Sequence, residues 1–138
     1  MPNRENVKKW VDALRSGDYK QGTGYLNKDG EFCCLGVACD LAEKDGVNLS
    51  RAQRVDDGAY TYEGRHGYPP ASVAEWLGLA TVESGNGLAD ELDIQIMTTD
   101  EDKEEWPVRA TEANDDLHWD FGQIADAIEK TYLTPVAA

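Results

Sequence analysis

The amino-acid sequence predicts a single α+β domain, in which a small antiparallel sheet is packed by about four helices. Three observations predict this class. Segments with apolar residues at helical spacing alternate with short stretches that contain Asp-Gly turns, one late stretch alternates apolar and polar residues, and no internal repeat or linker divides the chain. With 138 residues and 41% apolar content, the chain is long enough to bury a core. We therefore expect residues 1–138 to form one compact domain.

The first helix is predicted to begin after Asn3, whose side chain is suited to accept from the amides of a first turn. Apolar residues then recur at the i, i+3, i+4, i+7 spacing of one buried helix face. Gly17 is placed to end the helix, because glycine tolerates a left-handed cap. The predicted buried face comprises Val7, Trp10, Val11 and Leu14.

A hairpin is predicted to follow. Tyr25 and Leu26 are expected to pair with residues 31–33 across a loop that ends in Asp29-Gly30, a dipeptide typical of tight turns. The hairpin leads into residues 31–41, which form the densest apolar run of the chain and contain all three cysteines.

The run from Cys34 is compatible with either a buried strand or a helix. Its polar residues cluster on one side at helical spacing, which favours a helix that Gly46 ends. Gly36 lies inside this run, where glycine costs about 1 kcal/mol relative to alanine. We therefore expect Gly36 to permit a close approach of another backbone segment. The residues that fall together on this side are Asp40, Glu43, Lys44 and Val47, the first three of them charged.

Residues 48–68 predict a β-ribbon and a loop, with a turn at Asp57-Gly58. Pro69-Pro70 then opens a short helix, because proline is tolerated where the first amides have no partner. Gly78 is expected to close this helix. Its predicted buried residues are Val73, Trp76 and Leu77.

The next part of the chain is predicted to carry one strand inside an acidic insert at about residues 88–108. Residues 81–87 are expected to form a loop. Apolar and polar residues alternate over 92–99, which predicts a half-buried strand with Asp93 on its polar side. Residues 99–105 are expected to form an exposed acidic loop.

The last helix is predicted from another apolar stripe. Asp115 and Asp116 are expected at its N-terminal end, where carboxylates interact favourably with the helix dipole, and Lys130 is expected near its C-terminal end. The stripe comprises Leu117, Phe121, Ile124, Ala125, Ile128 and Tyr132.

Charge is distributed unevenly along the chain. Residues 1–60 carry nine Lys or Arg against ten Asp or Glu, whereas residues 61–138 carry four against seventeen. Such a field disfavours direct binding to nucleic acid or to an anionic membrane and attracts basic partners. Solubility alone would also explain an acidic surface.

The sequence also predicts a reduced, cytoplasmic protein. No apolar run approaches the roughly 18 residues needed to span a bilayer, and the N-terminus does not resemble a signal peptide. Three cysteines, two of them adjacent, make a poor disulfide framework.

The cysteines, with His66 and His118, are candidate zinc ligands only in principle. Zinc sites use cysteine pairs separated by two to four residues, whereas Cys33 and Cys34 are adjacent and Cys39 follows within apolar sequence. The spacing does not indicate a nucleophilic cysteine with a histidine base either. We therefore expect buried structural cysteines and predict no metal and no cofactor.

The polar cluster at residues 114–120 leaves two alternatives open. On a single helix, Asp116 and Asp120 would share one face and could hold a divalent cation. Helix capping explains the same acidic residues without a ligand. The corresponding hypothesis is a metal-dependent hydrolase built on Asp115, Asp116, His118 and Asp120.

Two motifs of the chain are Trp10-x-x-Ala13-Leu14-Arg15-Ser16-Gly17-x-Tyr19 and Phe32-Cys33-Cys34-Leu35-Gly36-Val37-x-Cys39-Asp40-Leu41. With these motifs the sequence resembles an uncharacterised family of small proteins that occur in bacteriophages and prophages. The resemblance implies a phage origin, and hence a host bacterial cytoplasm, but no activity. The insert departs from the shorter versions of the family, so an activity located there need not be shared.

The leading hypothesis is a non-enzymatic phage accessory protein that binds a host protein with a basic surface, as an inhibitor, an anti-defence factor or a nucleic-acid mimic. Its candidate contacts are Asp100, Glu101, Asp102, Glu104, Glu105 and Trp106. An alternative hypothesis is a binder of a small nucleotide-like ligand. The candidate residues for that ligand are Arg15, Gln21, Tyr25 and Arg65.

Overall fold

The α+β class is confirmed by the computed structural model, which describes residues 3–79, 81–83, 92–99 and 104–133. Five α-helices lie within these ranges, one more than predicted. They are α1 (Arg4–Ser16), α2 (Cys34–Lys44), α3 (Ala71–Leu77), α4 (Ala110–Asp115) and α5 (Phe121–Ile128), and a π-helical turn, Glu129–Leu133, continues α5.

The strands within these ranges form three small sheets, whereas a single sheet was predicted. They are β1 (Lys20–Gln21), β2 (Asn27–Lys28), β3 (Glu31–Phe32), β4 (Ala52–Gln53), β5 (Tyr60–Thr61), β6 (Thr81–Glu83), β7 (Leu92–Thr99) and β8 (Glu105–Arg109). The sheet orders are β1-β3-β2, β4-β5 and β6-β7-β8. All described strand pairs are antiparallel except β1 with β3, which run parallel.

Helix α1 begins and ends where the sequence predicts. The Asn3 side chain accepts from the Asn6 amide at 3.1 Å, and Gly17 caps the other end with a left-handed φ of 80°. The apolar face of α1 is buried, and the Trp10 indole N–H donates to the Cys34 carbonyl at 2.8 Å. This hydrogen bond joins α1 to the start of α2.

The ambiguous cysteine run is a helix, α2, and it is buried on more than one side. Residues 34–39 are all buried, so the apolar surface is wider than the single stripe that the spacing suggests. The close approach predicted at Gly36 is confirmed, since a Cβ atom there would lie 1.6 Å from the Leu26 carbonyl oxygen. Glycine is therefore required where the first hairpin crosses α2.

That hairpin turns at Asp29-Gly30 as predicted, but its strands are shifted. Asp29 and Gly30 both have positive φ, as a type I′ turn requires. The ladder joins Asn27 to Phe32 and Lys28 to Glu31, and of the predicted pairing one backbone hydrogen bond is present, from the Cys33 amide to the Tyr25 carbonyl at 3.3 Å. A two-residue turn places its strands directly beside it, which explains the shift.

Residues 48–78 follow the prediction. β4 and β5 form the ribbon around the Asp57-Gly58 turn. Pro70 is the N-cap of α3, and Gly78 ends α3 with a φ of 71°. Val73, Trp76 and Leu77 are buried.

For the third sheet, one prediction from the sequence is correct and two are wrong. β7 forms as predicted, but residues 81–83 are a strand, β6, rather than a loop, because they pair with residues 92–94 of β7. Asp93 is fully buried rather than on an exposed polar face. Its carboxylate accepts from the Thr111 amide at 3.3 Å and from the Thr111 hydroxyl, at the start of α4. Residues 84–91 and 100–103 of the predicted insert lie outside the described residues.

Pro107 shows how the edge strand β8 tolerates proline. It lies opposite Met97, whose amide donates to the Thr131 hydroxyl at 2.9 Å rather than to β8. The Met97–Pro107 pair is therefore a non-hydrogen-bonded pair, in which no N–H of residue 107 is needed toward β7. A proline at this position also blunts the outer edge of β8.

The predicted last helix is two helices. Asp120 starts α5 by accepting from the Gln123 amide at 2.8 Å, and Gln123 accepts from the Asp120 amide at 3.0 Å. Because of this capping box, α5 begins only at Phe121. Leu117 therefore lies in the connecting loop, with 42% of its surface exposed. Asp115 and Asp116 consequently lie at the C-terminal end of α4 and not at a helix N-terminus.

Candidate partner-binding surface

The predicted partner contacts that the structure describes lie at the start of β8. Glu104 and Glu105 are exposed, and Trp106 keeps 41% of its surface exposed opposite Thr98 of β7. Glu105 forms an ion pair of 3.2 Å with Lys130 beyond α5. The other three contacts, Asp100, Glu101 and Asp102, lie outside the described residues.

Carboxylates outnumber cations along β8, α4 and α5. Residues 104–133 contain eight Asp or Glu and two Lys or Arg. We define the acidic surface as the exposed carboxylates of this segment together with Trp106. Its carboxylates are Glu104, Glu105, Asp116, Asp120, Asp126 and Glu129.

A groove of about 280 Å³ lies between α5 and the end of β7 and borders this surface. Thr98 lines it directly opposite Trp106, and Lys130 joins it to Glu105. We call it the α5 groove. Its lining residues are Met97, Thr98, Trp119, Gln123, Asp126, Ala127 and Lys130.

Arg15, a predicted ligand-binding residue, holds α1 against α5. Its guanidinium donates to the Asp126 carboxylate at 2.6 Å and to the Glu129 carboxylate at 3.1 Å. These bonds raise the pKa of Arg15 above its ordinary value, and the same contact lowers the pKa of Glu129. The side chain therefore has a structural role in this arrangement.

Gln21, another predicted ligand-binding residue, belongs to a polar network that sequence reasoning missed. Its amide nitrogen donates to the Asn114 side chain at 2.9 Å and to the Trp119 carbonyl at 2.8 Å, and its oxygen accepts from the Phe121 amide at 3.1 Å. Asn114 is fully buried, accepts from the Cys34 amide at 3.2 Å and donates to the Gly22 carbonyl at 2.9 Å. The network connects the start of α2 to α4 and α5.

The remaining two predicted ligand-binding residues lie in another part of the fold. The Tyr25 ring packs at 5.8 Å from His66, and Lys28 lies 4.6 Å above the Tyr25 ring. Arg65, next to His66, pairs through its backbone with Tyr62. The contacts of these four residues therefore lie in three places. Those of Arg15 join α1 to α5, those of Gln21 belong to the network with α4 and α5, and those of Tyr25 and Arg65 lie near β2 and β5.

The predicted hydrolase residues have other roles. Burial raises the pKa of the Asp115 carboxyl, which accepts from the Gly24 amide and from Asn114. Asp120 caps α5, and His118 is exposed with a φ of 54°. Over residues 3–79, 81–83, 92–99 and 104–133, no group of three His, Cys, Asp or Glu side chains could hold a metal ion.

All three cysteines are buried and free. Cys33 is the N-cap of α2, and its sulfur accepts from the Gly36 amide at 3.4 Å. Burial raises the pKa of the Cys33 thiol to about 12 and holds the pKa values of Cys34 and Cys39 well above the ordinary value. These thiols are therefore protonated at neutral pH and unsuited to nucleophilic attack.

Residues 3–132 match the model of a family described as "Domain of unknown function (DUF8296)", so the chain belongs to this family. The match agrees with the expectation of an uncharacterised family. It also spans the predicted insert. No curated protein and no solved structure matches the chain. In the described part of the chain, no helix combines the length and apolar character that crossing a membrane requires.

Proposed function

We propose that this member of the DUF8296 family is a non-enzymatic phage accessory protein that binds a host protein through its acidic surface. The observation that carries the proposal is that residues 104–133 contain eight Asp or Glu against two Lys or Arg, and that six of these carboxylates are exposed. A surface with such an excess attracts a basic partner over a distance of about one Debye length, roughly 8 Å at physiological salt. The site of action is the cytoplasm of the host bacterium.

The chemistry of the surface favours a host protein that normally binds nucleic acid. Such proteins carry Lys and Arg arranged to meet phosphates. The carboxylates of Glu104, Glu105, Asp116 and Asp120 would occupy positions that phosphates otherwise occupy. Binding of this kind blocks the nucleic-acid site and so modulates or inhibits the host protein.

Trp106 supplies an apolar contact within the acidic surface. Tryptophan residues are enriched among the residues that dominate binding energy at protein interfaces. An indole with 41% of its surface exposed beside two glutamates provides both a contact area and a charged rim. This combination supports protein binding over a purely solubilising role.

The alternative functions have less support. The four candidate residues for a nucleotide-like ligand have their contacts in separate places, and Arg15 and Gln21 are engaged in structural hydrogen bonds. The hydrolase candidates Asp115 and Asp120 are likewise engaged with backbone amides.

Affinity capture from a host-type bacterial lysate tests the proposal. The chain is immobilised and washed at low and at high salt, beside a variant in which four acidic residues are neutralised. That variant is E104Q/E105Q/D116N/D120N, in which asparagine can still cap α5 as aspartate does. A matched control neutralises four exposed acidic residues in the first half of the chain, E5Q/D12N/D18N/D56N.

The proposal predicts a captured protein that is released by high salt, is lost by the first variant and is retained by the control. Capture that survives high salt unchanged contradicts binding by charge. Equal loss in both variants contradicts the assignment to the acidic surface.

A further inference from the structure

We propose that the α5 groove binds an arginine side chain of the basic partner, with the guanidinium on the indole of Trp119 and beside Asp126. The inference rests on the proposed function and specifies the partner's chemistry. It assigns a role to a groove that the sequence does not indicate.

The walls of the groove suit a flat group at the end of an aliphatic stem. Trp119 presents an aromatic ring, while Met97 and Ala127 supply apolar surface. The volume of about 280 Å³ lies just below the range of roughly 300–1,000 Å³ for small-molecule pockets, and so suits a single side chain. A guanidinium can stack on an indole, and its three methylene groups can cover the apolar wall.

The charges around the groove favour a cation. Asp126 lines the groove, and Asp120 follows the lining residue Trp119 directly. Glu105 pairs with Lys130, another lining residue, and Glu129 pairs with Arg15, which also binds Asp126. Two cations, Arg15 and Lys130, balance part of this charge through the pairs described above. Among the residues that the structure describes, four carboxylates against two cations make the rim net negative, which disfavours a phosphate group.

The geometry of Asp126 shows that a guanidinium can bind at this place. Its Oδ1 atom accepts from Arg15 at 2.6 Å, while 74% of the Asp126 side chain stays exposed. A carboxylate can accept up to four hydrogen bonds, so Asp126 keeps acceptor capacity for a second guanidinium. Arginine suits this arrangement better than lysine, because the guanidinium is planar and more weakly hydrated.

The first arm of the test uses two peptides of equal charge, hexa-arginine and hexa-lysine. We expect the chain to bind hexa-arginine more tightly, by up to about fivefold, which is the factor for an exposed cation–π contact that the guanidinium makes and the ammonium of lysine does not. The indole N–H resonance of Trp119 should shift on binding of hexa-arginine. Equal affinities, or an unmoved Trp119 resonance, would overturn the assignment.

The second arm compares Asp126→Lys with Asp12→Lys. Both side chains are exposed, at 74% and 61%, and both substitutions change the net charge equally. Asp126→Lys should abolish the preference for arginine, whereas Asp12→Lys should keep it. Asp126→Asn, which preserves the size of the side chain, should weaken the preference for arginine. This variant keeps the test decisive if Asp126→Lys fails to fold.

The results separate the groove from the proposed function. If salt-sensitive capture of a host protein persists in Asp126→Lys at wild-type level, binding by the acidic surface stands and the groove assignment fails. If the wild-type chain captures no protein at low salt, the proposed function fails. A preference for arginine that responds equally to both lysine variants also contradicts the groove.

Discussion

Substitution of Gly36 by alanine separates local helix preference from the packing seen in the fold. In the interior of a helix, alanine is normally more favourable than glycine by about 1 kcal/mol. Here the new Cβ atom would lie 1.6 Å from the Leu26 carbonyl oxygen, and real Cβ atoms essentially never approach closer than 3.0 Å. One of the two backbone segments would therefore have to move by 1.4 Å, the difference between these distances.

Leu26 cannot move freely, because its amide donates to the His66 carbonyl at 2.6 Å. Overpacking of this kind costs about 3 kcal/mol, so the net loss in the free energy of unfolding should be at least about 2 kcal/mol. Urea denaturation followed by circular dichroism measures it, with an expected fall in the midpoint of about 1 M. Gly122→Ala is the matched control, because its Cβ would lie 3.3 Å from the Asp120 side chain. An unchanged or raised stability of Gly36→Ala would refute the close approach.

Three further predictions concern buried polar groups. Asn114→Ala should lower the free energy of unfolding by about 2–4 kcal/mol, because the buried Cys34 amide and other partners lose their hydrogen bonds. Urea denaturation measures this loss, and a value below about 0.5 kcal/mol would contradict the network. Burial raises the pKa of Asp93 above its ordinary 3.8, so the wild type loses stability as pH rises from 3.8 through the raised native value. Asp93→Asn should therefore gain stability relative to the wild type over this range, as unfolding curves at several pH values would show, and a pH-independent difference would contradict it. The three cysteines should react with a thiol reagent only after denaturation, since they are buried with raised pKa values, and rapid labelling of the native chain would contradict this.

The sequence predicts local structure well where one residue decides it. Asn3 and Gly17 bound α1, Asp29-Gly30 forms the turn, and Gly36 marks a close approach, each for a reason that a few neighbouring residues contain. These features depend on backbone geometry and capping, which the residue type states directly.

Features that depend on distant partners could not be predicted. Asp93 alternates with apolar residues and so suggests an exposed position, but Thr111, 18 residues away, holds it in the core. The apolar stripe that begins at Leu117 continues at helical spacing into α5, and only the capping box at Asp120 shows where the helix starts. Asn114 and Gln21 are 93 residues apart, and no pattern along the chain indicates their hydrogen bond.

Of the candidate site, the sequence indicates only the charge and type of single residues. Glu104, Glu105 and Trp106 are exposed in the structure, and their contact with a partner stays a prediction. The α5 groove was not identified, because it arises where β7 meets α5 and its lining residues come from segments about 20 residues apart. Gln123, Ala127 and Lys130 recur at helical spacing, but Ala127 is buried, and this spacing does not by itself indicate a groove.

If the acidic surface binds a basic host protein, the affinity of the chain for that protein must depend on salt. The dissociation constant of the chain for the protein recovered by affinity capture would be measured over a series of salt concentrations. Binding by charge should weaken steadily as salt rises, and E104Q/E105Q/D116N/D120N should flatten this dependence while E5Q/D12N/D18N/D56N leaves it unchanged. An affinity that stays constant from low to high salt would contradict the account.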